Sequence, residues 1–205
     1  MYTLQEILSI IEQNKLFVLE TIGAIFTLWC VFLASKNKIA NWPISMIATV
    51  VYFFVFYINH LFSDAYLQVI FLFIQAYGWW YWSSLNKNRK EKVISSIPNK
   101  TLLILSVTSL IGYLAWYKVY ININLNARTP AIDALCTIIS LSALFMQAIH
   151  WLENWIIWIL VDLIYVPMYI YSEQYITAIL YSLLIILAIK GYFDWKKILI
   201  KPEST

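Results

Sequence analysis

Seven stretches of this chain, residues 16–34, 42–59, 65–82, 101–120, 131–149, 155–171 and 176–193, each approach the length and apolarity of a membrane span. A bilayer core requires about 20 mostly apolar residues per crossing helix. Backbone inside it must satisfy its own hydrogen bonds, which admits only helices or closed barrels. Apolar runs of this length, without strict alternation, select helices. The expected fold is therefore an all-α polytopic membrane protein with seven transmembrane helices. Composition agrees: 62% of the 205 residues are apolar and 12% are charged, against about 25% charged in an ordinary soluble domain. The net charge of +3 is gathered in short clusters beside the apolar runs, too little to recruit nucleic acid. The lipid bilayer is the partner that composition names, and the ten tryptophans suit side chains resting at headgroup depth.

Residues 1–14 place Leu4, Ile7, Leu8 and Ile11 opposite Gln5, Glu6, Glu12 and Gln13, the pattern of an amphipathic segment lying on the membrane. This segment is acidic and lacks the basic start of a cleavable signal. Residues 15–82 then form a first three-helix unit, 83–100 a basic loop, 101–120 a linker helix, 131–195 a second three-helix unit and 196–205 a tail. Lys87, Arg89, Lys90, Lys92 and Lys100 collect in the loop, and Lys196, Lys197 and Lys201 in the tail. Because cytoplasmic connectors retain Lys and Arg, the loop and C-terminus are expected in the cytoplasm and the N-terminus outside. Cys30 and Cys136 each sit within an apolar run without metal-ligand spacing, as small core-filling residues do.

Sliding the chain by 113 residues superposes Asn41-Trp42 on Asn154-Trp155, Tyr52 on Tyr165, Leu67 on Leu180, Gly78 on Gly191 and Trp82 on Trp195. A repeat at one ungapped offset signals duplication. Each unit has an odd number of spans, so the extra helix between them restores a parallel orientation. The result is a 3+1+3 parallel-repeat arrangement, the plan of carriers that rock two halves around a midplane site. A carrier of a small polar molecule is the function this geometry implies.

Ionisable or polar residues inside spans are functional candidates. Trp155, Trp158 and Asp162, spaced W-x-x-W-x-x-x-D, share one helical face. Two indoles and a carboxylate suit a flat cation; the competing reading makes Trp155 an interfacial anchor and Asp162 a helix-packing group. Gln75 and Trp79 share a face of the third span, and Gln75 has the donors and acceptor to read a carboxamide or to bridge two helices. Asp133, Thr137 and Ser140 draw a polar stripe along the fifth span, where Asp133 also suits a helix cap after Pro130. Gln147 extends that stripe. Pro167 interrupts the sixth span beyond Asp162. Nothing in the chain matches a nucleotide-binding loop, a zinc-protease helix or a nucleophile elbow, so neither enzymatic activity nor a metal or other cofactor is expected. A non-transporting scaffold, or an ion-coupled carrier using Asp133 and Asp162, also fits these polar positions.

The segments NWPISMIATVVYFFVFYINHLFSDAYLQVIFLFIQAYGWWYW and IDALCTIISLSALFMQAIHWLENWIIWILVDLIYVPMYIY resemble the PnuC family of bacterial vitamin transporters over residues 16–197. The shared features are Q-x-x-G-W-x-x-W at 75–82 and W-x-x-W-x-x-x-D at 155–162. The resemblance implies a seven-helix carrier in a bacterial inner membrane, often a homotrimer, that takes up nicotinamide riboside by facilitated diffusion. It further implies dependence on a cytoplasmic kinase that phosphorylates the arriving substrate. By the same resemblance Gln75, Trp79 and Trp82 would line the substrate site together with Trp155, Trp158 and Asp162. Asp162 departs from the Asn that riboside carriers often have there. Similar members carry thiamine, which is also a flat cation, so thiamine is the alternative substrate.

Overall fold

The computed structural model describes residues 4–58, 62–87, 94–123, 130–171 and 175–200. Among them are α1 (Leu4–Ser35), α2 (Asn41–Ile58), α3 (Phe62–Lys87), α4 (Asn99–Ile123), α5 (Pro130–Ala148), α6 (Asn154–Tyr171) and α7 (Tyr175–Ile200), with no strand. The all-α polytopic expectation holds. Five helices contain a stretch long and apolar enough to cross a membrane: Lys15–Ser35, Asn41–Ile58, Asn99–Val119, Asn154–Tyr171 and Thr177–Ile200. The third and fifth expected spans fall short of that measure. In α3, Gln68 and Gln75 lower the apolarity and line an internal cavity; α5 is apolar over Ala134–Ala148, a shorter stretch among the described residues.

Several boundaries differ from the sequence reading: α3 runs to Lys87, into the expected loop, and α4 reaches Ile123. The expected surface segment 1–14 is not a separate element, because α1 continues without a break from Leu4 to Ser35. The tail expected at 196–205 begins inside α7, which extends to Ile200. Helical periodicity carries through a polar stretch unless a breaker intervenes, and neither junction contains Gly or Pro. The loop at 83–100 is also more than a divider. Its described part lies against the α5–α6 connector, with Ser95 N–H donating to His150 O at 3.1 Å and Leu152 N–H to Ser95 O at 2.9 Å. Glu153 accepts from the Ser96 hydroxyl and from Ile97 N–H at 3.0 Å, and Ile94 is buried in the core. Arg89, Lys90 and Lys92 lie outside the described residues.

The offset of 113 reappears as matched structure. Asn37 and His150 occupy the left-handed region, with φ of 52° and 63°, and each ends its helix in the same two-bond cap. Lys38 N–H reaches Leu33 O at 2.9 Å as Trp151 N–H reaches Met146 O at 3.0 Å; Asn37 and His150 donate to Ala34 O and Gln147 O. Such a cap uses up carbonyls that a helix end leaves open. The next helix then starts on Asn41 or Asn154, whose side-chain amides donate to Lys38 O at 2.7 Å and Trp151 O at 2.6 Å.

Behind each cap stands the same aromatic pair. Trp42 meets Trp82 edge-on at 5.4 Å and 88°, and Trp155 meets Trp195 at 5.5 Å and 89°. The pairs lock the two units together crosswise: Trp82 donates its indole N–H to Ala148 O at 2.9 Å and Trp195 donates to Ala34 O at 2.9 Å. His150 stacks on Trp82 at 4.1 Å between them. The third helix of each unit thus packs on the first helix of the other, α3 on α5 and α7 on α1. Helix α4 packs on α5 and turns Leu103, Ile104, Leu110 and Ile111 outward, as a lipid-facing linker would.

Candidate functional site

Six of the seven helices converge on one cavity of about 230 Å³, below the 300–1,000 Å³ common for drug-sized ligands and so suited to a small one. Helix α4 contributes nothing to its wall. The cavity straddles the two units: Val31 and Leu144, Ser45 and Trp158, Thr49 and Asp162, Gln68 and Tyr181, Phe71 and Leu184, and Gln75 and Ala188 all line it. Every one of these pairs is separated by 113 positions. The positions that match at this offset differ in chemistry between the two halves. The first half presents Ser45, Thr49, Gln68 and Gln75; the second presents Trp158, Asp162, Tyr181 and Ala188.

Asp162 comes from α6, which buries one face through Trp155, Val161 and Asp162. It is 3% exposed, and no hydrogen bond or ion pair to it forms among the described residues. A buried carboxylate without a partner is costly, and in a cavity that cost is relieved by a cation. Lys, Arg and His are all missing from the described wall. Trp158 stands one helical turn before Asp162, with Trp155 a further turn back on the same face. The Trp155 indole N–H lacks a protein partner, but so does that of Trp42, its equivalent outside the cavity. That feature therefore belongs to the repeated packing and says nothing of a ligand.

On the opposite wall Gln75 and Thr49 are each 6% exposed and bond to each other. The Gln75 amide donates to Thr49 Oγ1 at 2.8 Å, and the Thr49 hydroxyl reaches Gln75 Oε1 at 3.1 Å. Asn41 and Gln147 close the cavity near the connectors, with Gln147 Nε2 3.5 Å from Asn41 Oδ1. Tyr52 and Tyr181 line the wall at other positions.

Of the eight residues the sequence singled out, the structure brings Gln75, Trp155, Trp158 and Asp162 together. Trp82 is fully buried in the crosswise lock, away from the cavity wall. Trp79 is 44% exposed and Thr137 is buried without lining the cavity. The Asp133 side chain lies outside the described residues. Thr49, Ser45 and Tyr181 went unnoticed as site residues, although the 113-residue offset pairs Thr49 with Asp162 and would have pointed to it. Cys30 lines the cavity, and both it and Cys136 are buried. Among the described residues no cluster of His, Cys, Asp and Glu suits a metal.

The profile of one protein family, described as nicotinamide mononucleotide transporter, matches residues 17–197. The nicotinamide riboside transporter PnuC of Escherichia coli (strain K12) is 24% identical over 201 residues, covering 86% of this chain and 84% of that protein. Its namesake in Haemophilus influenzae is 24% identical over 185 residues, 88% of this chain and 80% of that protein. The riboflavin/roseoflavin transporter RibM of Streptomyces davaonensis is 23% identical, over 86% of this chain and 83% of that protein. The crystal structure of the vitamin B3 transporter PnuC superposes with a TM-score of 0.68 at 19% identity, over 97% of this chain and 93% of the other. That likeness shows a shared fold.

Proposed function

This chain belongs to the nicotinamide mononucleotide transporter family, and we propose that its own task is to carry nicotinamide riboside across a membrane. The observation that carries this reading is the buried carboxylate of Asp162, without a hydrogen-bond or ion-pair partner among the described residues, in a cavity walled by Trp155 and Trp158. A pyridinium ring is flat and cationic, so the indole faces attract it and the carboxylate supplies its counter-charge. The same wall disfavours the mononucleotide. A phosphate brings about 1.5 to 2 negative charges to a cavity whose described wall offers Asp162 and neither Lys nor Arg. A neutral flavin, the cargo named for the Streptomyces relative, would leave Asp162 unpaired. Thiamine satisfies the charge argument equally, but the relatives named above for riboside transport favour the riboside.

Transport follows from two similar units around one site. In this reading α1–α3 and α5–α7 are parallel repeats joined by α4, and rocking one against the other exposes the cavity to each side in turn. The N-terminus is outside, the basic loop and C-terminus are cytoplasmic, and three copies assemble. Flux runs down the riboside gradient, which a cytoplasmic kinase maintains by phosphorylating the product. The test is uptake of labelled nicotinamide riboside into liposomes containing the purified protein. Saturable exchange that ignores imposed proton and sodium gradients is the expected result. Flux that tracks either gradient would replace facilitated diffusion by ion coupling, and no flux would remove the carrier reading.

A further inference from the structure

Helices α6 and α7 repeat the packing of α2 and α3 in the same register. Trp155 lies against Gly191 and Trp195 as Trp42 lies against Gly78 and Trp82. That register sets Ala188 opposite Asp162, as Gln75 stands opposite Thr49. In the first half the Gln75 amide occupies the space between the two helices and bonds to the Thr49 hydroxyl at 2.8 Å. In the second half the side chain ends at Cβ, and the 3% exposed Asp162 has no hydrogen-bond or ion-pair partner among the described residues. Trp158, the equivalent of Ser45, leaves the place open, since Trp158, Asp162 and Ala188 all line the cavity. Left empty, this place forfeits packing contacts and leaves a buried charge uncompensated.

We propose that Ala188 is a specificity-determining residue, whose short side chain opens to the ligand's cationic ring the place that the Gln75 amide holds in the first half. This deepens the riboside reading and rests on it. The ring gains a position within the cavity, between Asp162 and Ala188 and alongside Trp158, where one flat group replaces another. There it supplies the counter-charge to Asp162 and meets an indole. The first half needs no ligand at the matching place, because Thr49 and Gln75 satisfy each other whichever way the amide is turned. A ribose without the ring would leave the place empty and Asp162 without its counter-charge.

The experiment titrates the full-length protein with nicotinamide riboside, and melts it without ligand, in wild type and Ala188→Gln. Glutamine rebuilds the side chain of the first half, with an amide N–H to donate to Asp162. Affinity should fall about 30-fold, the effect of filling a place the ligand must enter. The ligand-free variant should melt higher, because the buried carboxylate gains a partner. A lower affinity with a lower melting temperature, or a variant that does not fold, would overturn the proposal: Trp158 would then fill the place and Ala188 would only make room for it. Unchanged affinity in a folded variant would overturn it as well. Ala188→Cys, in a chain that also carries Cys30→Ala and Cys136→Ala, gives a second measurement. Saturating nicotinamide riboside should block modification of the new thiol by methyl methanethiosulfonate; a thiol that never reacts, or reacts equally with and without the riboside, would contradict an open place that the ring enters. Failure of the wild type to bind nicotinamide riboside would instead overturn the substrate reading, and is separately visible in the same titration.

Discussion

Replacing Asp162 by Asn lowers the affinity for nicotinamide riboside about 30- to 100-fold, the effect of removing one partner from a buried charge pair while keeping its volume. The chain without substrate becomes more stable at the same time, because a 3% exposed carboxylate with no partner among the described residues is exchanged for a neutral amide. These opposite signs are the mark of a residue kept for binding rather than for the fold; a helix-packing aspartate would lose stability and leave affinity alone. The reduced, uncharged dihydropyridine form of the riboside separates charge from shape. Wild type strongly prefers the cation, and Asp162→Asn should bind the two forms nearly alike. Transport survives at higher substrate concentration, because Trp155 and Trp158 remain and the resemblance noted above places Asn at this position in many riboside carriers. Paired calorimetric titrations and melting curves measure both signs.

Gly191→Ala produces the second large effect, and its equivalent Gly78→Ala provides the comparison. A Cβ at Gly191 would lie 2.7 Å from the indole of Trp155, and one at Gly78 would lie 2.5 Å from the ring of Trp42. Real atoms do not approach so closely, and both rings are fully buried, so a tryptophan must shift in either variant. Each substitution should cost ~1–3 kcal/mol of stability, the ordinary cost of overpacking a tight core. Only Trp155 lines the cavity. Gly191→Ala should therefore also weaken riboside binding about tenfold, by spoiling an indole contact worth about 1–2 kcal/mol. Gly78→Ala should melt earlier and bind as wild type. Equal binding losses in both variants would mean that the aromatic pairs act on the cavity only through the fold.

The fold was legible where the sequence is repetitive, and the reasons are physical. Apolar runs of span length leave a chain few alternatives, so the helices α2, α5 and α6 lie within a residue of the windows read from hydropathy. The repeat announced itself through Asn-Trp and Gly-x-x-x-Trp because both motifs perform packing duties in each half: Asn41 and Asn154 start helices, and Gly78 and Gly191 admit a tryptophan. The same duties misdirected the site reading. Trp82 looked like a ligand-facing indole, yet its N–H is consumed by the crosswise bond to Ala148. A motif records that a residue is constrained without saying by what. Helical spacing put Trp79 on the face of Gln75, but a face is broader than a cavity wall, and the larger ring remains outside. Thr49 was hidden for the opposite reason: a lone threonine in an apolar span normally satisfies itself on its own helix, and only its packing against Gln75 reveals otherwise. The α1 boundary was missed because the polar stretch before Lys15 contains no helix breaker.

The most direct test of the central claim, that the cavity between the two units is a site for a flat cationic riboside, is indole fluorescence of the purified protein titrated with nicotinamide riboside and, separately, thiamine. Trp155 and Trp158 line the cavity, so an occupant must perturb their emission. The account predicts saturable quenching by nicotinamide riboside, none by thiamine, and loss of the signal in Trp158→Ala. Saturation by thiamine alone would keep the carrier but contradict its substrate, and saturation by neither would contradict the assignment of the cavity as a binding site.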